Sequence, residues 1–125
     1  GGAQAALGFS RLGAGETEAA LKDLQAAFEQ SPTDFITANA LANILMRQGH
    51  KKDAVAVAQR ASEALADSPA VLNLLGGMLS ASGDGVGARA AYGAALKLNA
   101  DFLPARLNLA RLAVAEGNLA EARQT

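Results

Sequence analysis

The stretch Leu107–Arg123, LNLARLAVAEGNLAEAR, reads as an amphipathic helical pattern interrupted at Gly117-Asn118 and resumed at once. Counting down in steps of 34 from Gly117 reaches Gly83, Gly49 and Gly15; from Ala122 the same steps reach Ala88, Ala54 and Ala20; from Leu109 they reach Leu75, Leu41 and Leu7. The residue after each of those leucines is small: Gly8, Ala42, Gly76 and Ala110. Four columns that agree over four copies without an insertion define a repeat, and a period of this size means a stack of supersecondary units. The chain divides into units 1–34, 35–68 and 69–102, followed by 103–125, whose early stop reads as a truncation of one continuous solenoid domain, 1–125.

Each unit holds an apolar stretch, a glycine with a polar neighbour, and a second amphipathic stretch. Leu41, Ile44 and Leu45, and again Leu72, Leu75 and Leu79, recur at three- and four-residue steps, the spacing of one helix face. Glycine suits the end of the first helix because it takes the left-handed conformation that satisfies terminal carbonyls, and Asp84 or Asn118 then offers an oxygen to cap the next helix. Between units, Ser68 is placed as a cap ahead of Pro69 at the first helical position, where a missing N–H is harmless. The pattern predicts helices over about 3–14, 17–30, 34–48, 51–66, 69–82, 85–98, 103–116 and 119–125, and no strands.

This 34-residue helix–turn–helix unit resembles the tetratricopeptide repeat. The family's signature positions fall on Leu7, Gly8, Gly15, Ala20, Leu24, Ala27 and Pro32 in the first unit, and on Leu75, Gly76, Leu79, Gly83, Ala88, Tyr92 and Ala95 in the third. The resemblance implies an all-α, right-handed α-solenoid. Two departures stand out: the aromatic frequent at the fourth position is replaced by Gln4, Ala38, Leu72 and Arg106, and the proline survives only as Pro32. Pro69 lies three residues beyond the expected place, which predicts a second helix one turn longer in the second unit. The wording from Ala88 to Arg123 also resembles the long tetratricopeptide lipoproteins that accompany PEP-CTERM/exosortase protein-sorting and exopolysaccharide systems of Gram-negative bacteria. That resemblance implies an exported, membrane-anchored protein of the cell envelope.

Composition narrows the classes of function. Half of the 125 residues are apolar, enough for a packed core, and the formal net charge of −1 is spread as interspersed acids and bases. No basic stripe exists for phosphate neutralisation, so nucleic acid is not an expected partner. No apolar run approaches the roughly 20 residues of a membrane span. With no cysteine and a single histidine, His50, placed at a turn, neither a thiol nucleophile nor a His/Cys metal site is available, and no catalytic, metal or cofactor-binding residues are expected. The carboxylate pairs Glu16/Glu18 and Glu116/Glu121 fall at turns and on polar faces, where solvated surface is the simpler reading. GDGVGA, residues 83–88, follows no strand and is explained as a repeat turn rather than a dinucleotide fingerprint.

What remains is recognition by a surface. Stacked helix pairs curve so that first helices of successive units line a continuous groove. The family resemblance assigns that groove to positions 2, 5, 9, 12 and 13 of each unit, which in this sequence include Ala5, Phe9 and Leu12, then Ile36, Asn39, Asn43, Met46 and Arg47, then Ala70, Asn73, Gly77, Ser80 and Ala81, then Leu107, Arg111 and Val114. A row of amides at Asn39, Asn43 and Asn73 can pair with the backbone of an extended peptide, since each donates and accepts; bonding to water or to a neighbouring unit is the alternative. Arg47 and Arg111 suit a peptide carboxylate or ordinary surface pairing, and Ile36 and Met46 a soft binding floor or inter-unit packing. Gly77, beside Gly76, either leaves room for a ligand or is drift at a cost of about 1 kcal/mol. In the two-carboxylate clamp of the chaperone-binding subclass Asn43 fits one place, but the matching place in the third unit is Leu74 and the basic place in the fourth is Pro104, so that clamp is not expected. The expected partner is therefore a peptide or protein segment. Two rivals are an array that stacks end to end with its own copies, aided by an incompletely covered last helix, and a regulatory domain of a larger protein.

Overall fold

A computed structural model describes residues 2–124, with side chains as far as Gly117. Among the described residues there are seven α-helices and no strand. They are α1 (Gly2–Gly13), α2 (Thr17–Gln30), α3 (Phe35–Arg47), α4 (Lys51–Ala64), α5 (Pro69–Ala81), α6 (Gly85–Leu98) and α7 (Leu103–Gln124). Each packs on its neighbour in the chain, so the fold is an α-solenoid of helix pairs.

The turn inside each of the first three units is the same structure made from different residues. Gly15, Gly49 and Gly83 adopt φ of +84°, +86° and +95°. After each, the next N–H reaches back to close the helix: Glu16 to the carbonyl of Arg11 at 2.8 Å, His50 to Leu45 at 2.9 Å, and Asp84 to Leu79 at 2.9 Å. The glycine N–H bonds three residues back at 3.1 Å in every case. This paired arrangement satisfies the orphan carbonyls of a helix end and demands the left-handed conformation that glycine takes without strain.

The linkers between units repeat as faithfully. Ser31, Leu65 and Asn99 donate to the carbonyls of Ala27, Ala61 and Ala95, and Asp34, Ser68 and Phe102 each donate three residues back at 3.1 Å. The extra turn expected in α4 is not made: the helix ends at Ala64, with 14 residues like α2 and α6. Pro69 explains why, since at the first position of α5 its fixed φ fits the next helix and asks nothing of the linker before it. Ser68 caps α5 as expected, its hydroxyl accepting from the Val71 N–H at 3.3 Å, and Asp34 and Asp84 cap α3 and α6.

The small column sets how closely the two helices of a unit approach. A Cβ added at Gly8 would lie 2.9 Å from Leu24, and one at Gly76 would lie 2.5 Å from the Tyr92 ring. Where the column holds Ala42 instead, the opposing residue, sixteen positions on as in the other two units, is Ala58, and both are fully buried. A glycine therefore faces a large side chain, and where alanine takes its place the residue sixteen positions on is alanine too. Ala20, Ala54 and Ala88 are fully buried in all three units, and Phe28, Leu24, Leu41 and Val71 are the large side chains at the centre.

The fourth unit departs from the expected pattern. The turn predicted at Gly117 is not formed, and the two helices expected over 103–116 and 119–125 are one helix, α7. Gly117 is carried within α7 rather than ending a helix, and continuing a helix through glycine costs only about 1 kcal/mol relative to alanine. The side chains of Asn118 and Glu121, and the expectation that the last helix frays or borrows a neighbour, lie outside the described residues.

Candidate functional site

First helices α3, α5 and α7 touch one another in a row, whereas α2, α4 and α6 make no comparable mutual packing among the described residues. The stack is tighter on the first-helix side, which makes that side concave. The positions assigned to the groove separate there into three kinds.

Phe9, Leu12 and Met46 are half-buried against the main core, so they serve inter-unit packing, and Ala5 is buried. Ile36 is different, being 68 % exposed. On α7, Leu103, Leu107 and Val114 are also largely exposed and share one face with Arg111, at steps of four, four and three residues.

The amides do not form one free row. Asn43 donates through Nδ2 to the Asn39 carbonyl at 2.7 Å and to its Oδ1 at 3.1 Å, a contact within one turn of α3. Asn73 is engaged across the unit boundary, its Oδ1 accepting from Asn108 Nδ2 at 2.9 Å, and Asn108 Oδ1 accepts in turn from Arg111 at 3.4 Å. A polar chain thus runs from α5 to α7 beside a shallow cleft of about 330 Å³ lined by Leu103, Pro104, Leu107, Asn108 and Arg111.

Tyr92 enters from behind. Its ring lies against Gly76, and its hydroxyl is 4.0 Å from where a Cβ on Gly77 would be, so the two glycines give the phenol a passage from α6 to the groove. No hydrogen bond within the chain engages that hydroxyl among the described residues, and since no fully buried side-chain polar atom lacks a partner, it meets solvent. Burial raises the phenol pKa above its ordinary value, against the opposing field of Arg111.

Asn108 and Tyr92 were not among the groove candidates of the sequence. Asn108 occupies a column that holds Ala6, Ala40 and Leu74 in the other units, so its polarity was the available signal. Tyr92 gave none, because a second-helix residue reaches the groove only through a gap in the first.

Arg47 and Arg111 have no carboxylate within ion-pair distance among the described residues. The ion pairs lie elsewhere: Arg11 with Asp23 at 2.8 Å, Arg60 with Glu29 at 2.5 Å, and Arg89 with Glu116. His50 is exposed at the turn before α4 and makes no side-chain cap. Among the described residues no three His, Cys, Asp or Glu side chains come together in a metal-binding group, and no helix is long and apolar enough to cross a membrane.

A stack of helix pairs with a concave row of first helices places the chain among the helical-repeat solenoids. The tetratricopeptide-repeat profile matches residues 11–77 and 79–125, and the chain belongs to that family, whose members are in general non-catalytic. No protein of curated function matches it. Among solved structures it is similar to the first tetratricopeptide domain of Spaghetti (RPAP3) bound to the HSP90 peptide SRMEEVD, with 15 % identity, 92 % of this chain and 91 % of that one covered, and a TM-score of 0.75. It is also similar to MamA of Desulfovibrio magneticus, at 16 % identity, 97 % and 68 % coverage and a TM-score of 0.74. A tetratricopeptide protein of Parabacteroides merdae gives 19 % identity and a TM-score of 0.77, with 97 % of this chain spanning 48 % of that one. At these identities the likeness is one of fold.

Proposed function

We propose that the chain is a non-catalytic scaffold that binds a peptide or protein segment in the groove formed by α1, α3, α5 and α7. The observation that carries this reading is the polar chain Asn73–Asn108–Arg111, which bridges two units on the concave side and stands beside exposed Leu103 and Leu107. Polar anchors next to apolar ground are what an extended peptide needs, the first for its backbone and charges and the second for its side chains. Alanine at Asn39, Asn43 and Asn73 together is expected to abolish capture of immobilised ten-residue peptides while the chain stays helical and folded at the assay temperature. Capture that survives this triple change sinks the proposal.

The setting we infer is an exported, membrane-anchored protein of an exosortase-associated system, and it rests on the wording of residues 88–123 alone. A lipid-anchoring motif and many more 34-residue units in the full-length chain support it; a fused catalytic domain supports a regulatory role instead.

End-to-end self-association is the second reading, favoured by exposed Leu103, Leu107 and Val114 on α7. Sedimentation then shows a dimer whose share grows with concentration, and a monomer throughout overturns it.

A further inference from the structure

The seams between successive units are bridged at two places and open at one. Steps of 34 align Gln48, Ser82 and Glu116. At the first seam Gln48 Nε2 donates to Glu18 Oε1 on α2 at 3.3 Å, and at the third Glu116 pairs with Arg89 on α6. Each bridge ties a first helix to the second helix of the unit before it. Ser82, with its one-carbon side chain, makes no such bridge at the second seam; its hydroxyl donates to the Leu79 carbonyl of its own helix at 2.8 Å. A cleft of about 500 Å³ remains there, lined by Lys51, Lys52, Val55 and Gln59 of α4 and by Leu79 and Ser82 of the next unit. It lies on the edge of the solenoid that carries the glycine turns, and none of the concave groove positions lines it.

The charge at this seam is reversed as well. Lys52 stands where the first unit has Glu18, so a bridging acid is replaced by a cation, and exposed Lys51 precedes it. Among the described residues neither lysine has a carboxylate within ion-pair distance. Asp84, at the rim of the cleft, is engaged as the cap of α6, its Oδ1 accepting from the Gly87 N–H at 2.8 Å. Asp53 lines a different cleft, with Phe28 and Arg60. Both lysines occupy the first turn of α4, where the helix dipole disfavours cations, so the local structure does not call for them. Beside them Val55 and Leu79 are half-buried, packed on the core on one side and open to the cleft on the other. Two unpaired cations next to apolar ground complement an acid that adjoins an apolar side chain.

We infer that the open second seam is a further protein-docking site, separate from the concave groove, and that its occupant is a partner-protein segment carrying an aspartate or glutamate beside a large apolar side chain. Lys51 and Lys52 hold the carboxylate, and Val55 and Leu79 receive the apolar group. The inference goes beyond the groove-binding reading and does not depend on it. A chain that holds one segment in its groove and another at this edge raises the concentration of each partner near the other.

The closed first seam supplies the variant that tests the idea: K52E with S82Q reproduces the Glu18–Gln48 pair at the second seam. The 125-residue chain is used to select from a display library of random ten-residue peptides capped at both ends. Selected peptides are expected to include a class with Asp or Glu next to Leu, Ile, Met or Phe. For one such peptide, K52E/S82Q raises Kd about ten-fold or more, the effect expected for lost charge-assisted contacts. K51Q/K52Q gives the same loss without closing the seam, and decides the matter should K52E/S82Q melt below the parent. K97Q, on α6, and N39A/N43A/N73A, in the groove, leave Kd unchanged. Acidic peptides bound as tightly by K51Q/K52Q as by the parent overturn the inference, as does a selection without an acidic class. Selected peptides lost only in N39A/N43A/N73A overturn it too and leave the groove reading standing. A dimer of the parent that K52E/S82Q abolishes in sedimentation assigns the seam to a second copy and overturns the separate partner.

Discussion

Gly83 and Gly117 occupy the same column of successive units, with an acid or amide next to each, yet the chain turns at one and continues helical through the other. At Gly83 the turn delivers a helix that buries Tyr92 and three alanines against α5 and α7. At Gly117 the backbone stays helical on both sides of the glycine. A glycine permits a turn but does not impose one. In energetic terms, a local preference worth about 1 kcal/mol is overruled by side-chain burial worth several times as much.

The largest effect should therefore come from the buried face of α6. Tyr92→Ala removes its one large fully packed side chain and should cost about 3–5 kcal/mol in chemical denaturation, by loss of transfer energy and creation of a cavity. If the turn at Gly83 were held by its glycine alone, the loss would be far smaller. Gly76→Ala comes next: its Cβ meets the Tyr92 ring at 2.5 Å, so overpacking of about 1–3 kcal/mol is expected. In the Tyr92→Ala background that cost should vanish, since the double variant reproduces the Ala42–Ala58 contact of the second unit. Additive losses in the double-mutant cycle would show that the two positions do not share the contact.

Most of the architecture was legible in the sequence because repetition multiplies weak signals. Each glycine, alanine or leucine column says little alone, but four aligned copies set the pairs, the turns at Gly15, Gly49 and Gly83 and the cap at Ser68. The two misjudged boundaries have a common cause. Pro69 and Gly117 were read by their local chemistry, but a proline that opens the next helix does not lengthen the one before it, and a glycine that can end a helix can also be carried within one. The groove was less legible for a similar reason. Column positions locate a residue on a face but do not say whether its amide is turned inward, so the Asn39–Asn43 contact and the Asn108 bridge appear only in three dimensions.

The same substitution at the two glycines provides the most direct contrast, though a smaller one. Gly83→Ala places a Cβ at φ +95° and should destabilise by about 1–2 kcal/mol. Gly117→Ala meets nothing within 4 Å and fills a helical position, so it should stabilise by up to about 1 kcal/mol. Opposite signs in thermal or urea unfolding sustain the comparison; equal signs break it.

The smallest effect concerns the back of the first two units, where Arg60 holds Glu29 with two contacts, at 2.5 and 3.0 Å, and lies 5.1 Å from the Phe28 ring centroid. The hydrogen bond from Arg60 lowers the Glu29 pKa below its ordinary 4.5. A carboxylate whose pKa is lower folded than unfolded adds stability above its ordinary range and loses it as pH falls through the folded value. Both side chains are about half exposed, so solvent screens the pair and the gain is small. Glu29→Gln should melt slightly below the parent at about pH 7, and the difference should close as pH falls through the lowered Glu29 value. Arg60→Gln should keep part of its deficit throughout, because the guanidinium over Phe28 stays charged in acid. A Glu29→Gln difference that persists in acid would assign the contact to packing rather than charge.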